Sequence, residues 1–139
     1  MRSGVDRMSI DALRVYGSHS HLLSTPEYLH CPSDKMRRAA ANFQELKNSN
    51  ISYFVSLSAD ETRPQVFLGG DRNWTTNSTA VGSGEVTLTT NLTLGYSKEM
   101  HDLDGNILMG DGSVLQMSSN RLNEAKIVQD AETNYLVFP

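Results

Sequence analysis

The densest apolar run in the chain is ISYFVSL, residues 51–57, where β-branched and aromatic side chains follow one another almost without a break. A run this short and this rich in such residues predicts a strand, and its near continuity predicts a central one buried on both faces. QVFL, residues 65–68, predicts a second strand, stopped by Gly69-Gly70-Asp71. EVTLT, residues 85–89, alternates apolar and polar positions as a half-exposed strand does. Residues 92–96 predict a further strand, with Trp74 capping an edge of the core, and TNYLVFP closes the pattern as a last strand.

The segment HDLDGNILMGDGSVLQM, residues 101–117, holds two turn signals of the Asp-Gly kind between apolar runs. Glycine accepts a positive φ without a Cβ clash, so such dipeptides mark hairpins. Turns at Asp104-Gly105 and at Gly110-Asp111-Gly112 predict a three-strand meander, followed by a short helix over residues 119–129. Helical spacing appears once more, near the start. Val5, Met8, Ala12, Leu13 and Tyr16 share a face over residues 1–22, Ser3 with Asp6 forms a weak capping pair, and Gly17-Ser18 ends the element. Pro26 and Pro32 bracket an extended piece at Tyr28-Leu29-His30. Residues 35–48 read as a helical turn or a surface loop. The expectation is one α+β domain over residues 1–139: an antiparallel sheet with short flanking helices.

Composition narrows the function classes. A chain of 139 residues with 38% hydrophobic residues and a mean hydropathy of −0.39 builds one modest core. The net charge of −4 and the absence of any Lys/Arg run argue against nucleic acid as a partner. No stretch approaches the ~18–20 apolar residues of a membrane span. The first residues contain no apolar segment of the kind a signal peptide needs. Cys31 is the single cysteine, so an internal disulfide is ruled out.

The candidate chemistry is sparse. Asp102, Asp104 and Asn106 make a D-x-D-x-N pattern around Gly105, like the first half of a calcium loop. The twelfth position from Asp102 is Ser113, so an EF-hand is absent. A looser calcium site, with Asp111 added, and a plain aspartate-rich turn both remain open. His19, His21, His30 and Cys31 do not form two well-spaced ligand pairs, so their clustering favours ordinary surface or half-buried histidines over zinc. Ser113 is not in a nucleophile elbow, and Cys31 has no base that spacing alone supplies. His101 and Asp111 fit either an acid–base pair or a hydrogen bond pinning two strand ends, with His101 reaching Asp111 or the 110–113 backbone. Gly69-Gly70-Asp71-Arg72 lacks the Lys-Ser/Thr of a phosphate loop. Asn-x-Ser/Thr sequons begin at Asn50, Asn73, Asn77 and Asn91 and count only in a eukaryotic secretory setting. No catalytic residue is assigned.

Several blocks together do resemble a known family. His101, nine residues, then Asp111-Gly112, in the form HDLDGNILMGDGSV, resembles the processing-associated H-X9-DG segment of prepilin-type, pseudopilin-like proteins. HCPSD at residues 30–34, NISYFV at 50–55, ADETRPQ at 59–65 and GDRN at 70–73 resemble further blocks of the same family, and the resemblance runs from about residue 23 to residue 139. It implies a globular head like that of a type II secretion pseudopilin, periplasmic or otherwise extracytoplasmic, with no enzymatic turnover. It implies partners among other pseudopilin subunits or secretion-system proteins, and a structural role for His101, Asp111 and Gly112. The leader and long apolar helix that begin such proteins are absent from the first residues here, so this chain is expected to be the soluble C-terminal region. The competing expectation is a calcium-binding extracytoplasmic module for adhesion or carbohydrate, using Asp102, Asp104 and Asn106 and the polar stretch 73–91.

Overall fold

The computed structural model describes residues 22–57, 63–126 and 135–139. The helix expected over the first 22 residues lies outside the described residues apart from its last position, as does the stretch of the second expected helix beyond residue 126. Nine strands and one α-helix make up the regular structure of the described residues, with three short 3-10 turns between residues 26 and 50. The strands are β1 (Tyr53–Ser56), β2 (Phe67–Asp71), β3 (Trp74–Thr76), β4 (Thr79–Ala80), β5 (Gly84–Thr87), β6 (Leu94–Tyr96), β7 (Asp104–Met109), β8 (Val114–Ser118) and β9 (Tyr135–Phe138), and the helix, α1, is Ser119–Ala125.

Six strands form one antiparallel sheet in the order β5-β9-β1-β2-β7-β8. A smaller antiparallel sheet, β4-β3-β6, carries α1 against β6 and covers one face of the larger sheet. The core lies between these layers and contains Phe54, Phe67, Trp74, Ile107, Met117, Leu122 and Phe138, among others. The antiparallel sheet read from the sequence is observed, and with a single short α-helix among the described residues the domain is a small α+β or mainly-β one.

Of the residues 51–57 expected as a central strand, Tyr53–Ser56 form β1, which is interior to the sheet but buried on one face only. Phe54 is fully enclosed while Tyr53 and Val55, pointing the other way, are half-buried. The continuous apolar run serves a sheet with a single covered face, and its outward Tyr53 forms part of the wall of a surface cleft described below.

Trp74 corrects a second expectation. It sits at the centre of the core at 1% exposure, where the edge had been expected. Its ring meets Phe54 at 4.9 Å, Phe138 at 5.4 Å, Phe67 at 5.9 Å and Tyr96 at 6.5 Å, all edge-on. Edge-to-face contacts place the positive rim of one ring on the negative face of the next, and they fix side-chain geometry as well as burying area. The small sheet therefore delivers the aromatic hub around which the large sheet packs.

β2 does not stop at the glycines. It runs through Gly69 and Gly70 to Asp71, with a register irregularity between Phe67 and Gly69. A Cβ at Gly70 would lie 2.5 Å from the Asn106 carbonyl and 3.0 Å from both Ile107 and Phe54. Here glycine lets adjacent strands and core side chains close up, where the sequence had read it as a breaker.

The meander is a two-strand hairpin. Ile107 pairs with Leu115 and Leu108 with Val114 across a turn at 110–113, as the second Asp-Gly signal predicts. Within that turn the Met109 N–H donates to the Ser113 carbonyl at 2.8 Å, Gly112 takes φ 86°, and Asp111 accepts from the Ser113 N–H at 2.9 Å and hydroxyl at 2.6 Å. The first signal fails. Asp104 and Gly105 are extended residues inside β7, and Gly105 is there because the buried Tyr96 ring lies against its Cα, where a Cβ would overlap ring carbons. The reversal occurs earlier, with left-handed backbone at Met100, Asp102 and Leu103. The tight turn that the sequence missed is Asn77-Ser78 between β3 and β4. Both residues have positive φ, 50° and 67°, the signature of a two-residue hairpin whose twist matches its strands.

Substitution of Gly105 by alanine drives a methyl into the Tyr96 ring, and overpacking of this kind costs about 1–3 kcal/mol. Urea denaturation of Gly105→Ala should show a lowered midpoint with an unchanged slope, while Gly82→Ala, where a Cβ meets nothing, should stay near wild type.

Candidate functional site: a buried polar junction between the 30s loop and the sheet

The chain before β1 crosses the end of the large sheet and carries a second small core, Leu29, Ala40, Leu46 and Ile51. Where this loop meets β1, β2 and the loop before β7, polar side chains gather away from water. Asp34 (1% exposed) accepts Arg72 Nη2 at 2.7 Å and Nε at 2.8 Å, a two-pronged pairing. The Ser52 hydroxyl donates to Asp34 at 2.9 Å and accepts the Cys31 N–H at 3.0 Å. Arg72 also donates to Glu99 at 2.8 Å on the wet side. Planar guanidinium and carboxylate groups match in geometry, so both donors are used at once and the charges stay paired in a dry setting. Burial raises the Asp34 carboxyl, but the hydrogen bonds from Arg72 and Ser52 outweigh it and hold Asp34 below the usual carboxylate range.

Asn73 holds the neighbouring loop. Its side-chain amide donates to the carbonyls of Glu99 at 2.9 Å, Asp104 at 3.1 Å and Ser97 at 3.3 Å, which closes the 97–104 reversal on itself. Three non-glycine residues with positive φ persist there because those bonds over-determine the path. Buried at 2% exposure, the Asn73 amide is committed to this staple, and the sequon it begins has no acceptor to offer in the folded chain.

The loop so held places His101 beside β2. His101 Nε2 stands 3.2 Å from Asp71 Oδ2 and 3.6 Å from Cys31 Sγ. Asp71 also accepts the Asn106 N–H at 2.7 Å and its side-chain amide at 3.1 Å. Burial pushes the Asp71 carboxyl up, with the Asn106 bonds and the His101 charge opposing. Tyr53 stands over the same spot, and burial, with Cys31 and Asp71 next to it, pushes its phenol up. On its outer side Asp71 borders an apolar cleft of about 300 Å³, walled by Tyr28, Leu29, Tyr53, Leu108 and Val114.

His101 is thus a pin, though to a different residue from the one expected. His101 precedes β7 and Asp111 follows it, so the whole strand of six residues separates them, roughly 20 Å at extended rise. The expected contact required a reversal at Asp104-Gly105, which the straight strand does not make. Asp111 and Gly112 shape the exposed hairpin turn instead, where the Ser113 bonds lower the Asp111 carboxyl. Asp104 and Asn106 likewise stand on a strand, two residues apart on one face, where a calcium loop would need Gly105 to turn them toward a common point. Asn106 is engaged with Asp71, and Asp102 is exposed in the preceding loop. His30 donates from Nε2 toward the carbonyls of Asp34 and Arg37 at 3.2 and 3.0 Å, a loop brace.

The Cys31–Asp71–His101 cluster has the residue types of a thiol triad without its wiring. A relay base presents one ring nitrogen to the nucleophile and the other to the carboxylate. Here the same nitrogen faces both, so the ring cannot pass a proton between them. Sequence reading missed the trio because its members are far apart, with Cys31 and His101 seventy residues from each other. The only signal was indirect: each lies in one of the blocks that carried the family resemblance. Comparison with protein-family models, with curated proteins and with solved structures gives no match.

Removing one partner of the Asp34–Arg72 pair leaves a buried charge unmatched, which costs about 3–5 kcal/mol. Arg72→Ala should therefore lower the unfolding free energy by that amount at neutral pH. The sign with pH follows from Asp34. A carboxyl whose folded pKa lies below its unfolded one contributes fully above the ordinary carboxylate range, and that contribution is lost as pH falls through the folded value. Asp34→Asn should be less stable than wild type at neutral pH, and the gap should narrow on acidification below about pH 4; parallel acid limbs in urea titrations would contradict this.

Proposed function

We propose that this chain is a non-enzymatic structural domain, a pseudopilin-like globular head that acts through protein–protein contacts in a pilus-like or secretion filament outside the cytoplasm. The observation that carries this reading is where the resembling blocks converge. Cys31 and Asp34 from HCPSD, Ser52 from NISYFV, Asp71 and Arg72 from GDRN, and His101 from H-X9-DG meet at one junction and are linked through hydrogen bonds and close polar contacts, while Asn73 from GDRN staples the loop that carries His101. A network of this kind rigidifies a scaffold and ties loops to a sheet. Arg72, Asn73 and Asn106 are spent on neighbouring carboxylates and carbonyls, which supports a structural role for the junction. Among the described residues no helix is long and apolar enough to cross a membrane.

The reading is tested by placing a photo-crosslinking residue at Val114, which is 64% exposed on the outer sheet face, and irradiating cells of the native host. The expected products are adducts with leader-processed, pilin-like subunits, identified by mass spectrometry, from an extracytoplasmic fraction. Recovery of the chain free in the cytoplasm, or adducts confined to unrelated cytoplasmic proteins, would overturn it.

A further inference from the structure

We propose that Cys31, Asp71 and His101 form a binding site for a borderline-soft divalent cation of the zinc class. One ligand atom from each residue lies within 4.8 Å of the other two. Two of the separations already have the values that coordination requires. A tetrahedral ion with a metal–sulfur bond of about 2.3 Å and metal–nitrogen and metal–oxygen bonds of about 2.0–2.1 Å sets edges of roughly 3.6 Å between S and N and roughly 3.3 Å between N and O. The observed Sγ···Nε2 and Nε2···Oδ2 distances are 3.6 Å and 3.2 Å. The third separation, between sulfur and carboxylate oxygen, lies within 4.8 Å, so rotation of the side chains is what brings all three ligands onto one ion.

The shared nitrogen favours an ion over hydrogen bonds alone. A single Nε2–H points along one direction, so it bonds well to the carboxylate or to the sulfur and poorly to the other. A cation in front of Nε2 satisfies all three groups together. Thiolate and imidazole select zinc, cobalt or similar ions over calcium and magnesium, which take oxygen ligands. On binding, the Cys31 thiol gives its proton to solvent and the imidazole takes the tautomer with its proton on Nδ1, so that a sulfur lone pair and the freed Nε2 lone pair form the bonds to the metal. Water completes the fourth position.

The surroundings are those of a supported site. Asn106 fixes the Asp71 carboxylate through two hydrogen bonds, Ser52 holds the Cys31 backbone, and Asn73 closes the loop that carries His101. Outer-shell bonds of this kind orient the ligands of a metal centre and are worth about 10–100-fold in affinity. Cys31 and Asp71 are buried, while the His101 side chain is 25% exposed and provides the way in. The site does not depend on the filament reading, since it concerns the isolated chain.

The test uses the full 139-residue chain, stripped with a chelator and titrated with Co²⁺ while near-ultraviolet and visible absorption are recorded. The expected result is one equivalent bound, with a thiolate-to-cobalt charge-transfer band and the intense visible bands of a four-coordinate ion, all displaced by Zn²⁺. Cys31→Ser should lose the charge-transfer band, and Asn106→Ala should weaken binding about 10–100-fold. A His19→Ala/His21→Ala double variant should keep the wild-type spectrum. Zn²⁺ should raise the melting temperature of wild type and leave that of Cys31→Ser unchanged. A wild-type chain that is folded by circular dichroism and gives no thiolate–cobalt absorption at millimolar Co²⁺ would overturn the proposal, as would loss of the spectrum in the double histidine variant.

Discussion

The buried carboxylate of Asp34 is the constraint around which this protein is arranged. A carboxylate in a dry junction is tolerated only where a matched cation and further donors meet it. Arg72 supplies the cation from the residue after β2, and Ser52 supplies a hydroxyl from the residue before β1. Those two backbones are themselves tied, the Arg72 N–H donating to the Ser52 carbonyl at 2.9 Å. The pairing therefore fixes where the 30s loop lies relative to the sheet. Once it lies there, the N–H of Cys31 and the carbonyl of Leu29 are in register with Ser52. The next residue along from Arg72, Asn73, then holds the loop that brings in His101.

Two different kinds of information were legible in the sequence. The hairpin between β7 and β8 was readable because its turn chemistry is local: Asp111 bonds to Ser113, Gly112 takes a positive φ, and apolar runs flank both. β5, β6 and β9 were readable from alternation or from β-branched density. What could not be read was any role set by a distant neighbour. Gly69, Gly70 and Gly105 look like breakers in isolation. Gly70 and Gly105 are instead places where Phe54, Ile107 or Tyr96 occupies the volume of a side chain. Trp74 sits among threonines and asparagines, so its neighbourhood in sequence suggested a rim. Its partners Phe54, Phe67, Tyr96 and Phe138 come from four separate strands.

The candidate site divides the same way. His101 was singled out as a polar anchor, but its partner was assigned by counting residues through a turn that the chain does not make. Asp71 and Cys31 carried no spacing signal that would have joined them to it. The ordered blocks HCPSD, GDRN and H-X9-DG did contain all three residues, yet a resemblance along the sequence leaves open what touches what. Asp102, Asp104 and Asn106 illustrate the converse. A ligand-like spacing is only as good as the backbone curvature that turns it inward, and in β7 the backbone is straight.

The position of β9 bears on how the chain reaches this state. Residues 135–138 lie between β5 and β1, pairing Val137 with Glu85 on one side and with Val55 on the other. During synthesis, at roughly 5–20 residues per second, β1, β2, β7 and β8 can zip together while β5 has no neighbour in the sheet. Until β9 arrives, the free side of β1 is an open row of backbone donors and acceptors next to Phe54, the kind of edge that recruits foreign strands. A chain not yet extended through these few residues leaves that side of β1 unpaired and β5 without its sheet neighbour, so the last strand is also what closes the sheet to foreign ones.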